Sequence, residues 1–170
     1  MYKFLIIVLF NCSVTISAQT VKIDESTAEV AFVFVDDDVD GTISDLTFTG
    51  NINLDKLANS QFNGSVATET IDTDNWLRNR HLRNKYFKYK DFPRLSFKST
   101  EIRGDGKEFI VRGTLTIRGI TKPVTFTFAK RPSSFYATTM INAADFDINI
   151  HEEKERNMVQ IMITLPYTTN

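Results

Sequence analysis

The sequence predicts an all-β fold of about eight antiparallel strands with one short helix inserted between them. Three observations predict it. Apolar residues alternate with polar ones through most of the chain, and most of the 14 phenylalanines fall in that alternation. Turn-forming clusters recur between the alternating runs, as at Asp36–Gly41, Gly104–Gly106 and Gly119–Lys122. In one stretch, Thr73 to His81, the period of two gives way to spacings of three and four. Strands at such spacing form a sandwich or a barrel, and the pattern leaves both open.

Ala28, Val30, Phe32 and Phe34 alternate with Glu29, Ala31, Val33 and Val35, which makes a strand apolar on both faces near its end. Asp36–Gly41 turns the chain. Leu46, Phe48, Gly50, Ile52 and Leu54 stay in step, so Ile43–Leu54 reads as one long strand bent at Gly50. Gly64–Ile71 is a strand leading into the helix, which Thr73 or Asp74 can cap and which runs two or three turns. Pro93 forces Phe92 into extended backbone, and Leu95–Ile102 is a strand again. Phe109, Val111, Gly113, Leu115 and Ile117 share one face, and Val124, Phe126 and Phe128 another. Ser134–Ile141 and Met158–Leu165 complete the set, and Asp145–Ile150 reads as a short extra strand.

Met1–Ala18 has Lys3, an apolar run from Phe4 to Phe10 and a small residue at its end, the layout of a secretory signal peptide. Cleavage after Ala18 leaves a domain over residues 19–170. Asn11 is bulkier than the small residue expected before a lipidated cysteine, so ordinary cleavage is preferred to lipidation of Cys12. Cys12 is the single cysteine, and the mature chain therefore has no disulfide or thiol nucleophile. The expected location is the periplasm or the extracellular medium.

The formal charge of −1 argues against nucleic acid, which wants a strongly basic surface. Asp36-x-Asp38-x-Asp40-Gly41 matches the front half of a calcium loop, but Thr47 stands where the bidentate glutamate belongs, so a solvated acidic turn is expected. Two histidines, His81 and His151, do not make a zinc site, and no motif sets a base beside a nucleophile. No catalysis, cofactor or metal is expected. Arg78, Arg80, Arg83, Lys85, Lys88 and Lys90 make the helical stretch basic, either as a solvated face or as a rim that meets lipid phosphate or a membrane. Trp76, Leu77 and Leu82 read as a core plug or as the lining of a tunnel mouth.

Thr73, Asn75, Arg78, His81-Leu82, Phe87, Phe92-Pro93, Phe97 and Ser99 resemble the signature of the YceI-like family. So does Gly113-Thr-Leu-Thr-Ile-Arg-Gly119-Ile-Thr121-Lys122-Pro-Val124, and more weakly Asp145-Phe146-Asp147-Ile148. Asn79 and Ala143 depart from the pattern at positions that bear on head-group contacts rather than on fold. The resemblance chooses the barrel: an eight-stranded, lipocalin-like one holding a polyisoprenoid or similar long-chain amphiphile. Strand parity then nominates Phe32, Phe34, Leu46, Phe48, Phe97, Leu115, Ile117, Phe126 and Phe128 as the apolar lining. The resemblance nominates Arg78 and His81 at the mouth, beside Trp76 and Leu82. Transient membrane contact and a homodimer are further associations this reading admits. The rival is a filled barrel without ligand, serving as a protein-interaction or stress-related module; an enzyme ranks third.

Overall fold

The computed structural model describes residues 21–104 and 106–169. The proposed leader and Cys12 lie outside these residues. The strands are β1 Val21–Ile23, β2 Glu29–Phe34, β3 Val39–Ile43, β4 Thr47–Phe48, β5 Asn63–Ala67, β6 Arg94–Arg103, β7 Glu108–Ile117, β8 Ile120–Lys130, β9 Ser134–Asn142 and β10 Met158–Thr169. The helix α1 spans Trp76–His81 and runs on into a π-helical turn, Leu82–Tyr86.

All pairings are antiparallel, in the order β3-β2-β10-β9-β8-β7-β6-β5-β4, and β1 adds to the far end of β10. The two ends of that order, β3 and β4, are consecutive pieces of chain. A Thr42–Asp72 bridge and an Ala67 N–H to Ser44 carbonyl bond of 3.1 Å join this run to the far side, so the sheet returns on itself. Counting β3 and β4 as one strand and setting β1 aside leaves the eight that the sequence predicts. Closure removes exposed strand edges.

The long strand is interrupted at Asp45, whose φ is 57°, as well as around Gly50, where regular pairing stops after Phe48 and only an isolated Asn51–Gln61 bridge follows. Arg94 on β6 holds the break at Asp45. Its guanidinium donates to the Asp45 carboxylate at 2.7 Å, to the Asp45 carbonyl at 2.7 Å and to the Ser65 hydroxyl at 2.8 Å. The strand expected over Gly64–Ile71 ends at Ala67, where a 3-10 turn, Thr68–Thr70, takes over. Thr68 is fully buried, with its N–H on the Pro93 carbonyl and its hydroxyl on the Phe92 carbonyl.

The β7–β8 hairpin turns on two residues, Arg118 and Gly119, both at positive φ. That is the primed-turn geometry whose twist matches paired strands. β8 then pairs β9 only over Thr127–Lys130, so the first half of β8 diverges from its neighbour. The segment expected as an extra strand, Asp145–Ile150, fills that gap as a 3-10 turn over Ala143–Phe146 with Phe146 and Ile148 buried. Two aspartates and an asparagine in this run favour local turns over a ladder.

The interior divides into two clusters. One gathers Phe62, Phe109, Phe128, Phe135 and Tyr167 at one end of the barrel. Their rings touch in a continuous set, with centroids 4.9 Å apart for Phe62–Phe128, 5.1 Å for Phe109–Phe128 and 4.8 Å for Phe135–Tyr167. This end is filled. The other cluster includes Phe32, Phe34, Ile71, Leu82, Leu95, Ile117 and Ile148 and lies beneath α1.

Candidate binding cavity and its mouth

Between the two clusters lies an apolar cavity of about 140 Å³ that opens to solvent. Phe62, Phe126 and Phe128 bound it on the filled side, and Phe34, Val66, Phe87, Ile141 and Ile148 on the other. Its wall is almost wholly apolar; Asn63, Ser65 and Ser96 are the polar residues that reach it. All nine residues nominated by parity line this cavity: Phe32, Phe34, Leu46, Phe48, Phe97, Leu115, Ile117, Phe126 and Phe128.

Glycines explain how a barrel so rich in phenylalanine keeps a hollow. A Cβ on Gly41 would lie 2.5 Å from the Phe32 ring, one on Gly50 2.5 Å from the Phe48 ring, and one on Gly113 2.5 Å from the Phe97 ring. Each ring therefore lies on a patch of bare backbone. Any side chain there would lift the ring off the wall and into the lumen. Gly41 faces Phe32 directly across the β2–β3 ladder.

A second cleft, of mixed apolar and polar lining, sits over the α1 end. It is lined by Phe34, Asp37, Val39, Asn75, Leu77, Arg78, His81, Leu82, Tyr86 and Ile150. Phe34 is common to both linings, so its ring borders the cleft as well as the cavity. Three of the four nominated mouth residues, Arg78, His81 and Leu82, line the cleft, with Leu82 buried at 4% exposure. Trp76 does not. It lines neither space and is 73% exposed, which corrects its reading as plug or mouth lining. The reason is helix phase: Asn79 and Leu82 take the inward positions, which turns Trp76 and Leu77 outward.

The helix entry is built on Asn79. The cap is Asn75, one residue after Asp74 and two after Thr73, accepting from the Arg78 N–H at 3.0 Å. The buried Asn79 amide oxygen accepts from the Thr73 N–H at 2.9 Å and from its hydroxyl at 2.7 Å, and its Nδ2 donates to Asp72 at 2.7 Å. That last bond, ahead of the Asp74 N–H and the charge of Arg83, holds the Asp72 carboxyl below its ordinary value. Arg78 donates from Nε to the Thr73 hydroxyl and from a terminal nitrogen to the Thr73 carbonyl. Much of its hydrogen-bonding capacity is thus spent on the fold rather than on the cleft.

Facing α1 across the cleft, the β2–β3 turn is tied to the loop before β10. The His151 ring lies 2.9 Å from the Asp37 carboxylate, and Arg156 Nε is 3.1 Å from Asp36. Two of the aspartates in the calcium-like run are therefore held by side chains of that loop, Asp36 by an arginine and Asp37 by an imidazole. That loop is organised by Asn157, 1% exposed, which accepts from the Ile150 and His151 N–H groups and donates to the His151 and Glu153 carbonyls. Sequence reading missed Arg94 because its partners lie 29 and 49 residues away, and Asn157 because the irregular loop it holds has no period to read.

Residues 21–167 match the family model described as the YceI-like domain. A UPF0312 protein of Photorhabdus laumondii is 37% identical over 87 residues, a match spanning 49% of this chain and 44% of that protein's length. Protein YceI of Salmonella arizonae is 26% identical over 74% of this chain and 71% of its own. Among solved structures, Burkholderia cenocepacia BcnA superposes with a TM-score of 0.74 at 21% identity, covering 85% of this chain and 98% of that one. A polyisoprenoid binding domain from Saccharophagus degradans superposes with a TM-score of 0.60 at 14% identity, covering 90% and 99%.

Proposed function

The chain belongs to the YceI-like domain family, and we propose that it is an exported carrier holding one long-chain amphiphile, a polyisoprenoid or similar lipid, in its half-hollow barrel. The observation that carries the reading is the apolar cavity beneath a cleft that adds a few polar side chains to its wall. An apolar wall offers no directed contacts, so affinity comes from area removed from water, at ~0.8 kcal/mol for each buried methylene. Ten to fifteen methylenes supply ~8–12 kcal/mol before an association cost of ~4 kcal/mol or more. The polar end of the molecule would rest in the cleft among Asn75, Arg78 and His81. The Saccharophagus domain, named for polyisoprenoid binding, shares the fold and supports the ligand class.

In this reading the protein performs no chemistry. Its role is to keep an apolar chain out of water, and one copy supplies the complete cavity, so a homodimer is not required. The decisive experiment is native mass spectrometry of the gently purified protein, followed by solvent extraction. A co-purifying lipid with a long apolar chain is the expected result. Apo protein that also binds no fluorescent long-chain probe would overturn the carrier and favour the ligand-free module.

A further inference from the structure

Among the described residues five large hydrophobics are exposed, and three of them, Trp76, Leu77 and Val35, line the cleft or adjoin a residue that does. Trp76 is 73% exposed and Leu77 47%; Val35, next in chain to the cleft-lining Phe34, is 45% exposed. A tryptophan so displayed has no packing role. Beside it Arg80, Lys85, Lys88 and Lys90 are exposed, on the same continuous segment that forms the cleft's α1 wall. Of the acids on the opposite side, Asp36 is paired with Arg156 and Asp37 is hydrogen-bonded to the His151 ring. The chain as a whole is not basic, with a formal charge of −1, so its positive face is local and sets an orientation.

We propose that this end docks on an anionic lipid bilayer, with Trp76 and Leu77 in the head-group region and the basic segment against lipid phosphates. Amphipathic indole rings settle at that depth. Lysines and arginines near an anionic leaflet add attraction that falls off within a Debye length. The orientation sets the cleft against the membrane, so a long chain can pass between bilayer and cavity without crossing water. The proposal rests on the carrier reading but is tested separately from it.

Trp76 is the single tryptophan and therefore its own reporter. Its emission is recorded with vesicles of phosphatidylglycerol and phosphatidylcholine, with phosphatidylcholine alone, and with polyglutamate. The expected result is a blue shift and quenching by brominated lipid on the anionic vesicles only, reversed at about 0.5 M salt. Arg80→Glu with Lys85→Glu and Lys88→Glu should weaken vesicle binding at least tenfold while a soluble long-chain probe still binds as in wild type. Emission unmoved by anionic vesicles overturns docking even where the probe binds. A shift of equal size on neutral vesicles, or vesicle binding retained by the triple variant, overturns the electrostatic orientation. A shift with polyglutamate and none with vesicles overturns the bilayer in favour of an acidic protein partner. Loss of probe binding in wild type, by contrast, condemns the carrier reading and leaves docking to be judged by Trp76 alone.

Discussion

Phe126 and Phe109 make a matched pair for testing whether the hollow binds. Both are 2% exposed, and they sit on adjacent strands, β8 and β7. Phe126 lines the cavity, edge-on to Phe97 at 5.1 Å. Phe109 lies outside the lining, between Phe62 at 5.9 Å, Phe128 at 5.1 Å and Phe135 at 6.0 Å. Replacing either by tryptophan adds the same atoms to different surroundings. At Phe109 there is no room, and overpacking should cost ~1–3 kcal/mol of stability. At Phe126 the added ring enters the lumen, so stability should change by less than about 1 kcal/mol. The ring displaces roughly two or three methylenes of a bound chain, ~1.6–2.4 kcal/mol, or a loss of about 15- to 60-fold in affinity. Displacement of an extrinsic fluorescent long-chain probe measures the second effect and denaturant melts the first. If Phe126→Trp unfolds as readily as Phe109→Trp and leaves probe affinity untouched, the cavity is not where the chain binds.

Gly113→Ala should cost ~1–3 kcal/mol in a thermal or denaturant melt and weaken the probe, because the new Cβ meets the Phe97 ring and the Lys98 carbonyl; Gly106→Ala, with open space around it, should be near neutral. Asn157→Ala removes the partner of two N–H groups and two carbonyls, and should destabilise by about 2 kcal/mol or more and accelerate amide exchange at Ile150 and His151. Asn79→Ala removes the main cause of the lowered Asp72 pKa, so NMR titration should find that carboxyl raised toward the ordinary carboxylate value, with the Asp74 N–H and Arg83 still holding it somewhat below. The sign follows from linkage: a depressed folded pKa contributes stability above the unfolded value, and that contribution fades as pH falls through the folded one. The wild type should therefore lose this contribution only in the acid range at and below ordinary carboxylate titration, and the variant should lose less there.

The parity of the strands was enough to find the cavity's wall. Phe32, Leu115 and Phe126 face inward because alternate residues of a strand share a face, and that much is local. The same parity also points Phe109 and Phe135 inward, and nothing local separates a ring that packs a plug from a ring that borders a void. Trp76 shows the complementary failure. A six-residue helix at spacings of three and four has several possible phases, and the phase here is fixed by Asn79 reaching back to Thr73 and Asp72. The break at Asp45 depends on Arg94, 49 residues away in sequence, so the long strand read through it unbroken. The short run Asp145–Ile150 has strand-like apolar spacing, but its place is set by the divergence of β8 and β9, which only the closed sheet reveals.

The rival readings, a filled barrel and a hollow one, turn out to describe two ends of one molecule. Phenylalanine content cannot decide between them, since the residue builds both. What differs is the residue opposite. Phe62, Phe109, Phe128 and Phe135 meet one another, and rings that meet across a lumen close it. Phe32, Phe48 and Phe97 each lie on a glycine, and a ring on bare backbone stays against the wall. In the carrier reading, the three glycines keep these rings on the wall and so leave the depth above the plug open to a chain. Adding methyl groups at those glycines should shorten the longest chain bound in steps, while trimming Phe62 at the plug's upper surface should lengthen it.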